Sequence, residues 1–271
     1  MEVRVIDSPV VVVKIGGVAL NDNDTTIGDI VALQRQGKSL VIVHGGGKMI
    51  TDWLEERGAS TRFIRGERVT DRGTLEVVVS VLAGRVNKEI VASINNLGGR
   101  AAGISGVDGA FIQGRIKDVA LGYIGTVMKM DTALLEVLLE AGYVPVVAPV
   151  SLNLAGRPAE TELVLNINAD AVAGEIAAAI GAERLIFLTD VVGVCDSSGV
   201  LLPQLSPAEA EALVASKVAS GGMIPKINAC LKALAATVVT SIIDGRQPHA
   251  LLKEIEGGNT GTTIRHLPGL A

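Results

Sequence analysis

Two lysines far apart in the chain stand beside glycine pairs. Lys14 closes an apolar run and is followed by Ile15-Gly16-Gly17, while Lys226 follows Gly221-Gly222-Met223-Ile224-Pro225. An ammonium placed where a strand gives way to a glycine turn lies beside backbone N–H groups, a setting that suits phosphate. A strand-end lysine reaching out to solvent is the other reading of Lys14. Lys226 falls in the first turn of an expected helix, where its charge opposes the dipole and a bound anion would offset the cost. A third segment, His44-Gly45-Gly46-Gly47, exposes N–H donors that can cup an anion or developing negative charge, or forms a plain tight turn. His44 by itself reads as a structural hydrogen-bonder. Neither a Walker A loop nor a G-x-G-x-x-G turn in a Rossmann-like position is present.

Three further segments carry polar groups in useful places. In Arg65-Gly66-Glu67-Arg68-Val69-Thr70-Asp71, Asp71 suits a helix cap, and Arg68 just ahead of it offers a planar guanidinium that can grip a carboxylate with two N–H groups. Surface arginines are common, so that reading needs support from elsewhere. Asn166-Ile167-Asn168-Ala169-Asp170 straddles a helix start. Asn168 and Asp170 there serve either as cap and dipole complement or as groups that orient cations and bind a ligand amide. Thr189-Asp190-Val191-Val192-Gly193-Val194 ends another expected strand in a glycine turn.

The elements that must position these residues follow from the apolar pattern. Strands are expected at residues 10–15, 40–43, 100–105, 144–148, 184–189 and 238–243, with hairpin strands at 111–117 and 123–128. Helices are expected at 24–36, 48–57, 71–82, 87–97, 131–141 with an Asp131 cap, 168–180, a Ser206-Pro207-initiated one, and 222–235. A polar hairpin is expected around residues 153–158. Strand, glycine turn, helix is the pattern of a parallel sheet with crossover helices, so the fold class is α/β, a three-layer α/β/α sandwich with a mainly parallel central sheet. Two glycine-rich turns at the carboxyl ends of consecutive parallel strands mark where such sheets bind ligands.

Composition agrees and excludes several classes. Of 271 residues 48% are hydrophobic but only 2% aromatic, so the core must be Val, Ile, Leu and Ala, which suits buried parallel strands under small-residue helices. A net charge of −5 without a basic block gives no electrostatic case for nucleic acid. The apolar runs are strand-sized and the first nine residues carry Glu2, Arg4 and Asp7, so neither a membrane span nor a signal peptide is expected. Cys195 and Cys230 lack metal-ligand spacing, fit ordinary packing, and suit a cytoplasmic setting.

In order, these segments resemble the amino-acid kinase family, from about Val10 to Ile264. The stretches VIVHGGG, RVTDRGTLEVV, GRVNKEIV, LNINADA, LTDVVGV and GGMIPK carry the resemblance. It implies a single kinase domain over 10–265, with an N-lobe (about 1–180) for an acylated amino acid and a C-lobe (about 181–271) for ATP. It further implies phosphorylation of the side-chain carboxylate of N-acetyl-L-glutamate in arginine biosynthesis, with ATP and Mg2+. By the same resemblance Lys14 and Lys226 neutralise the migrating phosphoryl group from opposite sides, and Asp170 orients both. Gly16, Gly17, Gly46 and Gly47 hold phosphates or reacting oxygens; Arg68, Asn166 and Asn168 serve the acyl amino acid; Asp190, Gly193, Val194, Ser220, Gly222 and Met223 border the nucleotide.

Chemistry supports this without the resemblance. A glutamate side chain is ionised at neutral pH, so its attack on phosphorus needs no general base. Positioning and charge stabilisation remain, for which lysines and N–H groups serve. No carboxylate cage for a metal is visible, so Mg2+ is expected to arrive with ATP and keep its waters. Two rivals remain: a sister kinase acting on carrier-protein-linked α-aminoadipate, and a non-catalytic amino-acid sensor on the same fold, which would not need all three of Lys14, Asp170 and Lys226. Only a short lead precedes Val10, where arginine-inhibited relatives carry a long helix, and the stretch from His249 keeps only part of their pattern. An arginine-insensitive homodimer is therefore expected.

Overall fold

The computed structural model describes residues 9–16, 25–64, 66–154, 161–237, 239–258 and 260–266. In chain order its elements are β1 (Val10–Ile15), α1 (Thr26–Arg35), β2 (Ser39–His44), α2 (Gly47–Glu56), β3 (Phe63–Ile64), β4 (Glu67–Arg68) and α3 (Arg72–Val79). A π-helical segment, Ser80–Val86, leads into α4 (Asn87–Asn96), then β5 (Ala101–Ser105), β6 (Ile112–Ile116), β7 (Ile124–Met130), α5 (Ala133–Glu140), β8 (Val144–Ala148), β9 (Val150–Asn153) and β10 (Val164–Ile167). The remainder is α6 (Ala169–Ala179), β11 (Arg184–Thr189), β12 (Gln204–Leu205), α7 (Pro207–Ala215), α8 (Met223–Ala233), β13 (Val239–Asp244), α9 (Ala250–Ile255) and β14 (Gly261–Ile264).

Among the described residues eight strands form the main sheet, in the order β12-β14-β13-β11-β1-β2-β8-β5. From β13 to β5 neighbours are parallel; β14 runs antiparallel to β13, and β12 follows β14. Such strands are buried on both faces because their residues are Val, Ile and Leu on both. Val10 and Val12 of β1 pack with residues of α5, α6 and α8, whereas Val11, Val13 and Ile15 pack with α1 to α4 and α9. The period of two fixes this split, and it makes the three layers.

The chain leaves β1 toward β2 and β8 and later returns to β11 on the other side. The order thus reverses beside β1, and the carboxyl ends of β2, β1 and β11 flank a crevice of the kind where α/β sheets bind ligands. Backbone bonds zip these ends together one step past the strands: Gly45 N–H donates to Ile15 O (3.2 Å) and Gly16 N–H to Leu188 O (3.0 Å). Beside the main sheet, β10, β7, β6 and β9 close on themselves into a small barrel. The expected hairpin of β6 and β7 is part of it.

Three expectations change. The two helices expected at 71–82 and 87–97 are joined by the π-helical segment into one continuous rod. Residues 83–86 fall between the two expected helices, but Val81, Leu82 and Val86 are buried and the segment stays wound, with i→i+5 bonds. Asp131 does not occupy the cap of α5; Thr132 does, and the Asp131 carboxylate accepts from Ala133 N–H at 3.1 Å. The strand expected at 238–243 is the last in the sequence pattern, but β14 follows it and joins the main sheet antiparallel to β13. The expected polar hairpin lies largely in residues 155–160, outside the described residues, although Asn153 N–H donates to Leu163 O across its base (2.8 Å).

Candidate functional site

Lys14 is an even-numbered residue of β1, so it faces α6 and α8 together with Val10 and Val12. Asp170 lies in the first turn of α6, and Lys226 in that of α8. The three meet. Lys14 Nζ lies 2.8 Å from Asp170 Oδ1, an ionic contact off the hydrogen-bond direction, and Lys226 Nζ donates to Oδ2 at 3.2 Å. Lys226 also donates to Gly222 O at 3.3 Å. Their side chains are 9%, 6% and 14% exposed for Lys14, Asp170 and Lys226, which leaves two ammonium groups around one carboxylate with little water to share the excess. A buried charge without a partner is costly, so the site suits an anion.

The sequence places Asp170 reliably because Asn168 caps α6. Its Oδ1 accepts from Asp170 N–H (2.8 Å) and Ala171 N–H (3.2 Å). The capping reading of Asn168 therefore holds, and the residue also lines the cleft described next. Helix α2, in contrast, begins at Gly46 with no side-chain cap, so its first-turn N–H groups and dipole remain for a ligand. Helix α8 also begins without a side-chain cap, but Met223 and Ile224 N–H donate to Ser220 O (3.1 Å) and Gly221 O (3.3 Å) and Pro225 has no N–H, which leaves Lys226 as the group it offers.

A cleft of about 220 Å³ joins the Gly45-Gly46-Gly47 turn to Arg68, Asn166 and Asn168. Gly46 leaves room for Leu82: a Cβ there would come 2.7 Å from Leu82 Cδ2, which would have to shift. His44, 1% exposed, holds the turn. Its Nδ1–H donates to Gly45 O (2.9 Å) while Nε2 accepts from the Asn87 amide (3.2 Å), which fixes the tautomer. Burial lowers its pKa to about 4, so the ring is neutral and structural.

Arg68 is drawn inward by its own neighbours. One terminal nitrogen donates to Gly47 O (2.9 Å) and Thr51 Oγ1 (2.8 Å), and the other to Thr61 Oγ1 (3.3 Å). Its guanidinium also stands 4.8 Å from the Phe63 ring centroid. Burial holds its pKa below the usual range, and a carboxylate ligand would relieve that cost. Asn166 hangs from β10, with its amide donating to Thr70 Oγ1 at 3.3 Å. Phe63, Leu82, Ile124 and Pro149 complete the cleft. Sequence reading missed them: Leu82 is one apolar residue in a run of several, and only the pairing of β3 with β4 brings Phe63 across.

The third group gathers beyond β1. Gly16 packs against Leu188 O, where a Cβ would come within 3.0 Å. Asp190 follows β11, exposed, and accepts from Thr189 Oγ1 (3.2 Å). Gly193 has φ 142°, and a Cβ there would meet Leu201 and Thr262 at 2.7 Å. Val194 is buried in the core and gives its N–H to Thr262 Oγ1 (2.8 Å). Ser220 is exposed; Gly222 starts α8, with Met223 half-buried behind it. Arg246 is held bidentately by Asp244 at the end of β13 (2.8 Å for each contact). Gly17 lies outside the described residues.

Among the described residues no cluster of three or more His, Cys, Asp or Glu is placed to hold a metal, and both oxygens of Asp170 face ammonium groups. A triphosphate fits the excess positive charge and the open start of α2; a divalent ion would be held chiefly by the phosphates and water. Cys230, wholly buried, has its thiol pushed up to about 12 by desolvation, and Cys195 is half-buried. No helix among the described residues is long and apolar enough to cross a membrane.

Comparison with known proteins meets this geometry. An acetylglutamate kinase of Dehalococcoides mccartyi is 48% identical over 97% of this chain and 97% of its own length. One from Nostoc sp. is 47% identical over 90% of this chain and 83% of its own. A solved Streptococcus mutans structure superposes with a TM-score of 0.81 at 31% identity, covering 94% of this chain and 98% of the other. The sequence profile described as "Amino acid kinase family" matches residues 9–244, and with a relative this similar over nearly all its length the chain belongs to that family.

Proposed function

We propose that this chain transfers the γ-phosphoryl group of ATP to the side-chain carboxylate of N-acetyl-L-glutamate, forming N-acetyl-L-glutamyl 5-phosphate and ADP in arginine biosynthesis. The observation that carries the reading is the shared carboxylate: Asp170 draws Lys14 and Lys226 to one spot at 2.8 and 3.2 Å. A substrate carboxylate oxygen attacks the γ-phosphorus, the new P–O bond forms, and the bond to ADP breaks with its electron pair leaving on ADP. No proton needs to move, because the acceptor is already ionised. Charge spreads over the equatorial oxygens of the transferring group, and the two ammonium groups answer it from the strand side and the helix side. Magnesium bound to the nucleotide supplies further charge neutralisation when present.

Residues before about 180 serve the acyl amino acid: Gly46 and Gly47 offer N–H donors, Arg68 a guanidinium for the α-carboxylate, and Asn166 an amide for the acetamido end. Those after it, Asp190, Gly193, Val194, Ser220, Gly222 and Met223, border the nucleotide with Gly16. We infer a homodimer by the same likeness, measured by sedimentation equilibrium. The activity is tested with purified protein, ATP and hydroxylamine, which traps an acyl phosphate. N-acetylglutamate is expected to give the hydroxamate while free glutamate and N-acetyl-α-aminoadipate give little. Preference for the longer acid, or no hydroxamate at all, would overturn the reading.

A further inference from the structure

We infer that Gly174 is a positioning residue for phosphoryl transfer: the bare backbone there sets how close α8 brings Lys226 to Asp170. The inference rests on the site proposed above and adds to it a residue that touches no substrate.

Gly174 lies one turn beyond Asp170 on α6, and Ala229 lies three residues beyond Lys226 on α8, so each belongs to the same helix face as its charged partner. The two helices meet at this point. A Cβ on Gly174 would stand 2.8 Å from Ala229 O and 3.0 Å from both its Cα and its Cβ. Two of those three atoms are backbone, so no side-chain rotation relieves the clash, and α8 has to move as a body. Lys226 moves with it. Lys14 does not, since it stands on β1, and its 2.8 Å contact with the other carboxylate oxygen is independent of α8.

The Lys226 contact has little slack. At 3.2 Å to Asp170, a further few tenths of an ångström takes its ammonium out of hydrogen-bond range, while its other bond, to Gly222 O at 3.3 Å, lies within α8 and travels with the helix. The second tie between the helices, Lys232 to Glu175 at 3.3 Å, is half-exposed at the lysine and too weak to hold α8 in place against a clash. Helix propensity argues for alanine, since glycine within a helix costs about 1 kcal/mol. The chain carries glycine where the space permits nothing else, directly above the two charges that must meet.

The test is Gly174→Ala with steady-state kinetics and thermal unfolding. Expected is a folded protein whose kcat is lower by about 10- to 100-fold, with KM for both substrates changed by less than about threefold. In the Lys226→Ala background the same substitution is expected to cost nothing more, because the group it displaces is gone. Wild-type kcat in Gly174→Ala would overturn the inference, as would losses that multiply in the double variant, since a general loosening of the fold acts independently of Lys226. Should Gly174→Ala fail to fold, Ala229→Ser adds a single oxygen at the same contact and is judged by the same cycle. Lys226→Ala alone keeps the two levels apart: full activity there defeats the lysine-pair reading first, whereas a loss there with an unaffected Gly174→Ala defeats only the positioning role.

Discussion

At the scale of single residues, two ammonium groups around one carboxylate decide the chemistry. Replacing Lys14 or Lys226 with Ala is expected to lower kcat by about 10²- to 10³-fold in a folded protein, the range for losing one preorganised charge stabiliser. Stopped or steady-state acyl-phosphate formation measures it, and wild-type turnover in either variant would remove the assigned roles. His44 makes a prediction about stability instead. Its folded pKa of about 4 lies below the free value of 6.5, so between those values the unfolded chain binds a proton that the folded chain refuses. Stability contributed by the neutral ring is complete above pH 6.5 and is lost as the pH falls toward 4, by about 3 kcal/mol at most. Denaturant titrations across that range are expected to show a shallower pH dependence for His44→Asn than for the parent; identical slopes would remove the buried neutral ring as the cause.

At the scale of elements, the glycine turn and the π-helical segment are one unit. Gly46→Ala forces a methyl against Leu82 Cδ2, and overpacking of this kind costs about 1–3 kcal/mol. The expected result is a lower Tm together with a raised KM for the acyl amino acid, because Leu82 lines the same cleft. Adding Leu82→Ala is expected to recover part of the loss, a coupling that independent sites would not show. The start of α6 is a second such unit. Asn168→Ala removes the acceptor for two N–H groups and is expected to cost about 1 kcal/mol, read by chemical denaturation. A cost near zero would mean that the capping bonds are replaced by water.

At the scale of the whole molecule, we propose that arginine leaves activity unchanged, because the stretch from His249 keeps only part of the pattern of arginine-inhibited relatives; half-inhibition at sub-millimolar arginine would overturn this. The sandwich itself was legible in the sequence because a buried parallel strand leaves a plain mark: an unbroken Val and Ile run ending in glycine, as at Val10 to Gly16. Motifs at such strand ends were legible for the same reason, since Lys14, the turn after His44 and Asp190 all sit where a strand must stop. The small barrel was not legible as a barrel. Its strands are short and close through pairings such as Asn166 with Ile124, which no local pattern announces. The continuity of α3 and α4 was hidden likewise, because residues 83–86 fall between the two expected helices, and only the burial of Val81, Leu82 and Val86 shows the segment wound between them.

The amino-acid sequence by itself determined which groups exist and which strand or helix end each occupies, because capping, glycine turns and alternation are local rules. Tertiary structure alone decided that Lys14, Asp170 and Lys226 converge. Their meeting depends on the face that β1 turns to α6 and α8 and on the closeness of those two helices, and both are set by packing between segments more than fifty residues apart. Nothing near Lys226 in the chain specifies its distance from a carboxylate on another helix; the contact of Gly174 with Ala229 does.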